Sequence, residues 1–227
     1  MNDTEGNENS KRERKIAKNP AKRTAILKAA GKTFAQKGFH EATIADIAKK
    51  ARVSEATIYD YFNTKEELLF SLPAEIIQEY QKDNKIILEY VRGSANRLRV
   101  LIYRHLKLYE ENPEYANVAM LILKTNRNFL KTDAYKVIQN AARSTLDVLK
   151  EGMENGEFRA DINPYLVRAM IWGTIEHLVI RRSLLGKPHD LLSMADELVD
   201  TMFQGILTEP TEPELRVRVT VEHKESV

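Results

Sequence analysis

Between Ala21 and Leu207 the apolar residues return every three or four positions, the period of a helix that buries one face. Ile26, Ala30 and Phe34, with Leu27 and Ala35 beside them, mark a first helix from Ala21 to about Lys37. Gly38 ends it, being free to turn left-handed, and Phe39 is placed to fold back onto it. Leu68, Leu69, Leu72, Ile76 and Ile77 mark a long helix from Thr64 to about Tyr90. Pro73 lies inside it, and because proline donates no N–H and crowds the turn before it, a kink or a break is expected there. Leu98, Leu101, Ile102, His105, Leu106 and Tyr109 mark another helix over about 95–110. Asn112-Pro113 and Asn163-Pro164 are helix starts, with asparagine as the cap and proline in the first turn. Thr132 caps a helix with Tyr135, Ile138, Ala142, Leu146 and Leu149 on one face, ending near Gly152 or Gly156. The helix opened at Asn163 runs to about Leu185 and stops at Gly186, with Pro188 just beyond. Leu191, Met194, Ala195, Leu198, Met202 and Phe203 mark a last one over about 190–207. The final two read as an antiparallel pair, serving either as ordinary core or as half of a four-helix dimer interface. No segment in this range has the two-residue alternation of a strand bounded by turns, so it reads as all-α.

Residues 43–65, TIADIAKKARVSEATIYDYFNTK, hold three helix starts close together. Thr43 has Asp46 three residues on, Ser54 has Thr57, and Thr64 has Glu67 as the second half of a capping box. Two short helices joined by about three or four residues make a helix-turn-helix, whose second helix enters a DNA major groove. Ile47, Ala48, Val53, Ile58 and Phe62 read as the small core of that motif.

The net charge of +2 hides an uneven spread, since residues 1–65 carry 14 Lys and Arg against 8 Asp and Glu. A basic front and an acidic rear point to phosphate backbone as a partner, with a solvated charge pattern as the alternative. Residues 1–20 read as a flexible arm made basic by Lys11, Arg12, Arg14, Lys15 and Lys18, either solvated or touching DNA. The tail, 209–227, opens with the spacer EPTEP and continues as LRVRVTVE at 215–222, which alternates with the period of a strand. An unstructured tail and a short strand that pairs with a second copy are both open for it. With no cysteine there is no disulfide or thiolate metal site. The longest apolar run, Val118–Leu123, is far short of the ~20 residues of a membrane span. A cytoplasmic location is therefore expected, with no membrane partner.

Order and spacing over residues 22–69 resemble the TetR/AcrR family of one-component bacterial repressors. AILKAA at 25–30 and FAQKGF at 34–39 are similar to the family's first helix and glycine stop, and ATIADIA at 42–48 to its second helix. VSEATIYDYFNTKEELL at 53–69 is similar to its turn, recognition helix and connecting helix. The resemblance implies an all-α fold of about nine helices: a three-helix helix-turn-helix domain over 21–66, then a helical effector-binding and dimerisation bundle over 67–208. It implies base-edge or sugar-phosphate contacts for Glu55, Ala56, Thr57 and Tyr59, and phosphate contacts for Thr43, Tyr61 and Lys65. Ser54 opens the recognition helix and aims its positive end at phosphate. For Tyr59 and Tyr61 core packing is the alternative. Two positions depart from the family. Arg52 stands where glycine is common, so either the turn is remodelled or Arg52 accepts a left-handed backbone and gains a phosphate. Asp60 is unfavourable near phosphate unless it meets a cytosine amino group or faces away. The resemblance further implies a homodimer on a near-palindromic operator of double-stranded DNA. An effector inside the second bundle would release it by changing the spacing of the recognition helices.

The candidate lining of that pocket is Leu101, His105, Met120, Leu123, Asn126, Phe129, Trp172 and Glu176, with Arg127 and His177 nearby in sequence. WGTIE at 172–176 resembles a segment of the family's fatty-acid-responsive, FadR-like branch, which implies a fatty acyl-CoA effector with arginines meeting its phosphates. A rival effector is an apolar cation, met by the Glu176 charge and the Trp172 face. Ordinary packing explains each of these residues as well. An all-helical enzyme is disfavoured: there is no HExxH, P-loop or GxGxxG, and His40, His105, His177, His189 and His223 have no metal-like spacing. No cofactor is expected. A purely structural DNA binder without an effector stays open.

Overall fold

The computed structural model describes residues 19–208. Most of the basic arm and the alternating segment 215–222 lie outside them. Among the described residues there are nine α-helices: α1 (Pro20–Glu41), α2 (Ile44–Ala51), α3 (Glu55–Tyr61), α4 (Lys65–Glu89), α5 (Ser94–Glu111), α6 (Pro113–Val118), α7 (Asp133–Glu154), α8 (Pro164–Leu185) and α9 (Ala195–Ile206). α6 widens into a π-turn, Ala119–Leu123, and a short 3-10 turn, Phe129–Lys131, precedes α7. None of these helices is long and apolar enough to cross a membrane.

Most helix starts come from local chemistry. Thr132 accepts from Tyr135 N at 3.2 Å, and Asn163 accepts from Tyr165 N and Leu166 N at 3.0 and 3.2 Å. Asn112 does not cap as expected: its amide turns back to Leu108 O at 2.9 Å, while Pro113 alone opens α6. Gly38 turns out of the helical region at φ 74°, and Phe39 returns onto Phe34 with ring centroids 5.8 Å apart. α4 is not broken at Pro73. Pro73 is buried there with Leu69, Leu72 and Ile77, so packing offsets the lost hydrogen bond. α9 starts at Ala195 rather than near 190, because Asp190 Oδ1 accepts from Leu192 N at 2.8 Å and Ser193 N at 3.3 Å and sets a 3-10 turn first.

Two hydrophobic cores result. The first joins Ile26, Phe34, Ile47, Ile58, Phe62 and Leu68 and is completed from far along the chain by Val118, Leu123 and Phe129. The second gathers Leu98, Leu101, Ile102, Leu106, Leu149, Phe158, Ile171 and Ile175. The expected pairing of the last two helices is not what forms, since α9 packs chiefly on α5. There Arg99 lies 4.6 Å over the Phe203 ring and 3.5 Å from Asp200. α8 is left with an outward apolar row: Tyr165, Leu166, Met170, Leu184 and Leu185 are all exposed.

Candidate nucleic-acid interface and effector site

The capping box at α2 is complete. Asp46 N donates to Thr43 Oγ1 and Thr43 N donates to Asp46 Oδ2, both at 3.1 Å. The Lys37 ammonium 2.8 Å away, then Thr43, hold the Asp46 carboxyl down at about 2. α2 closes at Arg52, which takes φ 57° and ψ 44°. Of the two outcomes expected for this position, the backbone keeps its left-handed turn and arginine occupies it. Ser54 then accepts from Thr57 N at 3.1 Å, and the two hydroxyls lie 2.9 Å apart. Thr64 caps α4 by accepting from Glu67 N at 2.9 Å. The Glu67 carboxylate accepts from Asn63 N at 2.9 Å, so the return half of that box falls one residue earlier than expected.

With its ends fixed this way, α3 sorts its faces. Ile58, Tyr61 and Phe62 point inward, and Val53 packs half-buried against the same core. Arg52, Ser54, Glu55, Ala56 and Asp60 are exposed, Tyr59 is 51% exposed, and Thr57 is half-buried. The two tyrosines therefore part: Tyr59 faces solvent, while Tyr61, at 7%, packs beside Phe62. Thr43 is exposed at the start of α2. Lys65 is held at the other edge, donating to Ala42 O at 2.8 Å and His40 O at 3.3 Å with its ammonium 4.6 Å over the Phe39 ring. The exposed surface so formed is Thr43, Lys49, Lys50, Arg52, Ser54, Glu55, Ala56 and Tyr59.

The candidate effector residues do not come together as one set. Leu101 and Met120 are in the second core, Trp172 packs against it, and His105 is buried beside Trp172. Leu123 and Phe129 belong to the first core. Asn126 is spent on local structure, accepting from Asn128 N at 2.9 Å and Phe129 N at 3.3 Å. Glu176 is paired with Lys124. What does assemble is an aromatic cluster around His105. Its ring lies 3.7 Å from Trp172 at 89°, 4.9 Å from Tyr109 and 6.0 Å from Tyr80. Burial pushes the imidazole down to about 3 and the Tyr80 phenol up to about 12, so both are neutral near pH 7. Neither Tyr80 nor Tyr109 is among the candidate lining residues, although Tyr109 marks the apolar face of its helix. Tyr109 shares the His105 face at i+4, which was available as a signal; Tyr80 arrives from another helix and was not. Among the described residues, one cavity borders this cluster at Tyr109 and a groove lies apart from it. The cavity, of about 150 Å³, is lined by Tyr109, Pro113, Ala116, Asn117, Val179, Arg182, Ser183 and Leu191. The groove, of about 570 Å³, runs between α4 and the start of α7, past Phe70, Ala74, Gln78 and Val137.

Known proteins bear on both halves. A family model described as bacterial regulatory proteins, tetR family, matches residues 26–72, and one described as YsiA-like protein, C-terminal region, matches residues 75–205. The fatty acid metabolism regulator protein of Bacillus subtilis is 26% identical over 181 residues, covering 80% of this chain and 93% of its own. The crystal structure of the transcriptional regulator FadR from Bacillus subtilis in complex with stearoyl-CoA superposes with a TM-score of 0.75 at 26% identity, covering 80% of this chain and 98% of that one. The fatty acid degradation regulator FadR from Bacillus halodurans gives a TM-score of 0.76 at 28% identity, over 82% of this chain and 96% of its own. The second family model alone spans more than half of the chain, and the first lies over the helices that present Tyr59: the chain belongs to the TetR family of bacterial regulatory proteins and is a DNA-binding transcriptional regulator.

Proposed function

We propose that this regulator is a homodimeric repressor that leaves a near-palindromic operator when a long-chain fatty acyl-CoA occupies its C-terminal helices. The observation that carries the DNA half is the outward face of α3, with Tyr59 exposed on a helix fixed at both ends. Glu55, Ala56, Thr57 and Tyr59 meet base edges or sugar; Thr43, Arg52, Ser54 and Lys65 meet phosphate. Tyr61 supports the helix from beneath. Residues 21–66 read the DNA, and residues 67–208 bind effector and the second copy. The outward row of α8 supports the dimer, since Gly173 on the same helix adds no bulk and a Cβ there would meet nothing within 4 Å. The effector class rests on likeness to the stearoyl-CoA-bound regulator over nearly all of that protein's length. An apolar cation is less well served, because Lys124 already neutralises Glu176. The protein acts by binding rather than by catalysis, in the cytoplasm where its DNA lies.

The test is a mobility shift on the DNA upstream of the protein's own gene, with random DNA beside it. Stearoyl-CoA is expected to release the specific complex, and no release sinks the effector assignment. Tyr59→Ala is expected to weaken specific binding by about 1–3 kcal/mol and random binding much less. Equal loss on both would remove Tyr59 from sequence reading.

A further inference from the structure

Among the described residues, three buried polar atoms around His105 make no well-formed hydrogen bond: Tyr80 Oη on α4, which has only the Asn84 side chain as a looser polar neighbour, His105 Nδ1 on α5 and Trp172 Nε1 on α8. Their rings form one contact chain, Tyr80 to His105 at 6.0 Å and His105 to Trp172 at 3.7 Å. Thr145 Oγ1 on α7 is a further such atom, outside this ring chain. Buried donors are rarely left unpaired, because each forfeits its bond to water and gains nothing. An indole N–H can only donate, a phenol donates readily, and a neutral imidazole has one N–H to give. A single acceptor atom is what three such neighbours share a use for.

We propose that Tyr80, His105 and Trp172 together read one uncharged acceptor of the effector, the carbonyl oxygen of an acyl thioester. This rests on the acyl-CoA reading above and says how that ligand is recognised. The imidazole is packed by aromatic and apolar groups, Tyr109 at 4.9 Å from His105 with Leu101, Ile102 and Ile171 in the same core, while the Asn84 side chain sits beside Tyr80 and the Glu176 carboxylate acts on Tyr109. The guanidinium that lies over Tyr80, that of Arg104, is engaged by Asn84 and, at 3.4 Å, by Asp83. Burial keeps His105 neutral and Tyr80 protonated. A carboxylate would find the Arg104 guanidinium already engaged and the Glu176 carboxylate opposing it, and an ammonium would meet donors; a carbonyl has neither fault. Tyr80 sits on α4, which begins at Lys65 beside the recognition helix, so an acceptor that draws Tyr80 toward α5 and α8 acts on the helix that carries the DNA-reading face.

Two probes separate this from plain acyl-CoA binding: stearoyl-CoA, and S-octadecyl-CoA, whose thioether lacks the carbonyl. Affinities are measured by calorimetry on the full chain. The unaltered protein is expected to prefer the thioester at least about tenfold, and Tyr80→Phe and His105→Leu are each expected to bring that ratio toward one. Trp172 is the chain's single tryptophan, so its emission reports on the site directly. A red shift with the thioester and none with the thioether is the expected signature. Equal affinity for the two probes, or a ratio untouched by both substitutions, overturns the carbonyl site while leaving acyl-CoA binding in place. Binding of neither probe overturns the acyl-CoA reading itself, and this site with it.

Discussion

Arg52 is the only non-glycine residue with positive φ among those described, and its side chain is exposed at the turn before α3. The left-handed backbone costs a side chain about 1 kcal/mol, a cost offset if the guanidinium meets phosphate. Arg52→Gly is therefore expected to raise stability by about 1 kcal/mol and to weaken binding to operator and random DNA alike. The slope of log K against log salt should fall by about one unit. Thermal melts and a salt titration check both; a gain in stability with an unchanged slope would show that the arginine touches no phosphate. The turn's conformation was one of two outcomes left open by the residues around it, and Ala51-Arg52-Val53 shows why. Local preference argued for glycine, but the bonds that close α2, Val53 N to Ala48 O at 3.0 Å and Arg52 N to Lys49 O at 3.3 Å, hold the turn whatever residue stands there. Tyr59 and Tyr61 could not be told apart along the chain. Two positions on a helix differ by about 200°, which says that they diverge and not which one meets the core.

Helix starts that need only a side chain and its own backbone were readable: Thr43, Ser54, Thr64, Thr132 and Asn163 all cap where they stand. Asn112 was not, because Leu108 O competes for its amide, and the start of α9 was not, because Asp190 opens a different turn first. Gly152 was one of two expected ends for α7. The helix in fact runs on to Glu154, and Gly156 takes the positive φ of 82° just beyond it. Gly152 is there for another reason: a Cβ on it would come within 2.1 Å of the Phe158 ring, whose backbone N–H donates to Gly152 O at 2.8 Å. Gly152→Ala is expected to cost about 1–3 kcal/mol through that overlap. Adding Phe158→Leu should recover part of the loss, since residues in contact do not act independently. Denaturant melts of the two single variants and the double variant form the check; strictly additive losses would mean that the ring is not what the glycine accommodates.

For the whole molecule, periodicity was enough to give an all-α chain and its order of helices, but not which helices lean on which. Of the eight candidate effector residues, Leu101 and Met120 went to one core and Leu123 and Phe129 to the other, because residues as near in sequence as Met120 and Leu123 pack into different interiors. The wide stripe on the last two helices likewise said nothing of partners: α9 spends its face on α5, and α8 keeps Leu166 and Met170 in water. If that row is the contact between copies, Met170→Glu should leave a folded monomer that no longer holds a two-fold operator, read by light scattering after size exclusion and by a mobility shift. A dimer that survives with the glutamate in place would put the contact elsewhere. One short stretch binds the two ends of the molecule together more firmly than any linker could. Val118 and Leu123 help fill the interior beneath the DNA-reading helices, while Met120, between them, fills the interior of the ligand-sensing ones. The amino-terminal part is thus not a detachable head: cut away from the rest it would lose three of its own innermost side chains, and a disturbance that loosens either interior is passed through this shared hinge-pin to the other.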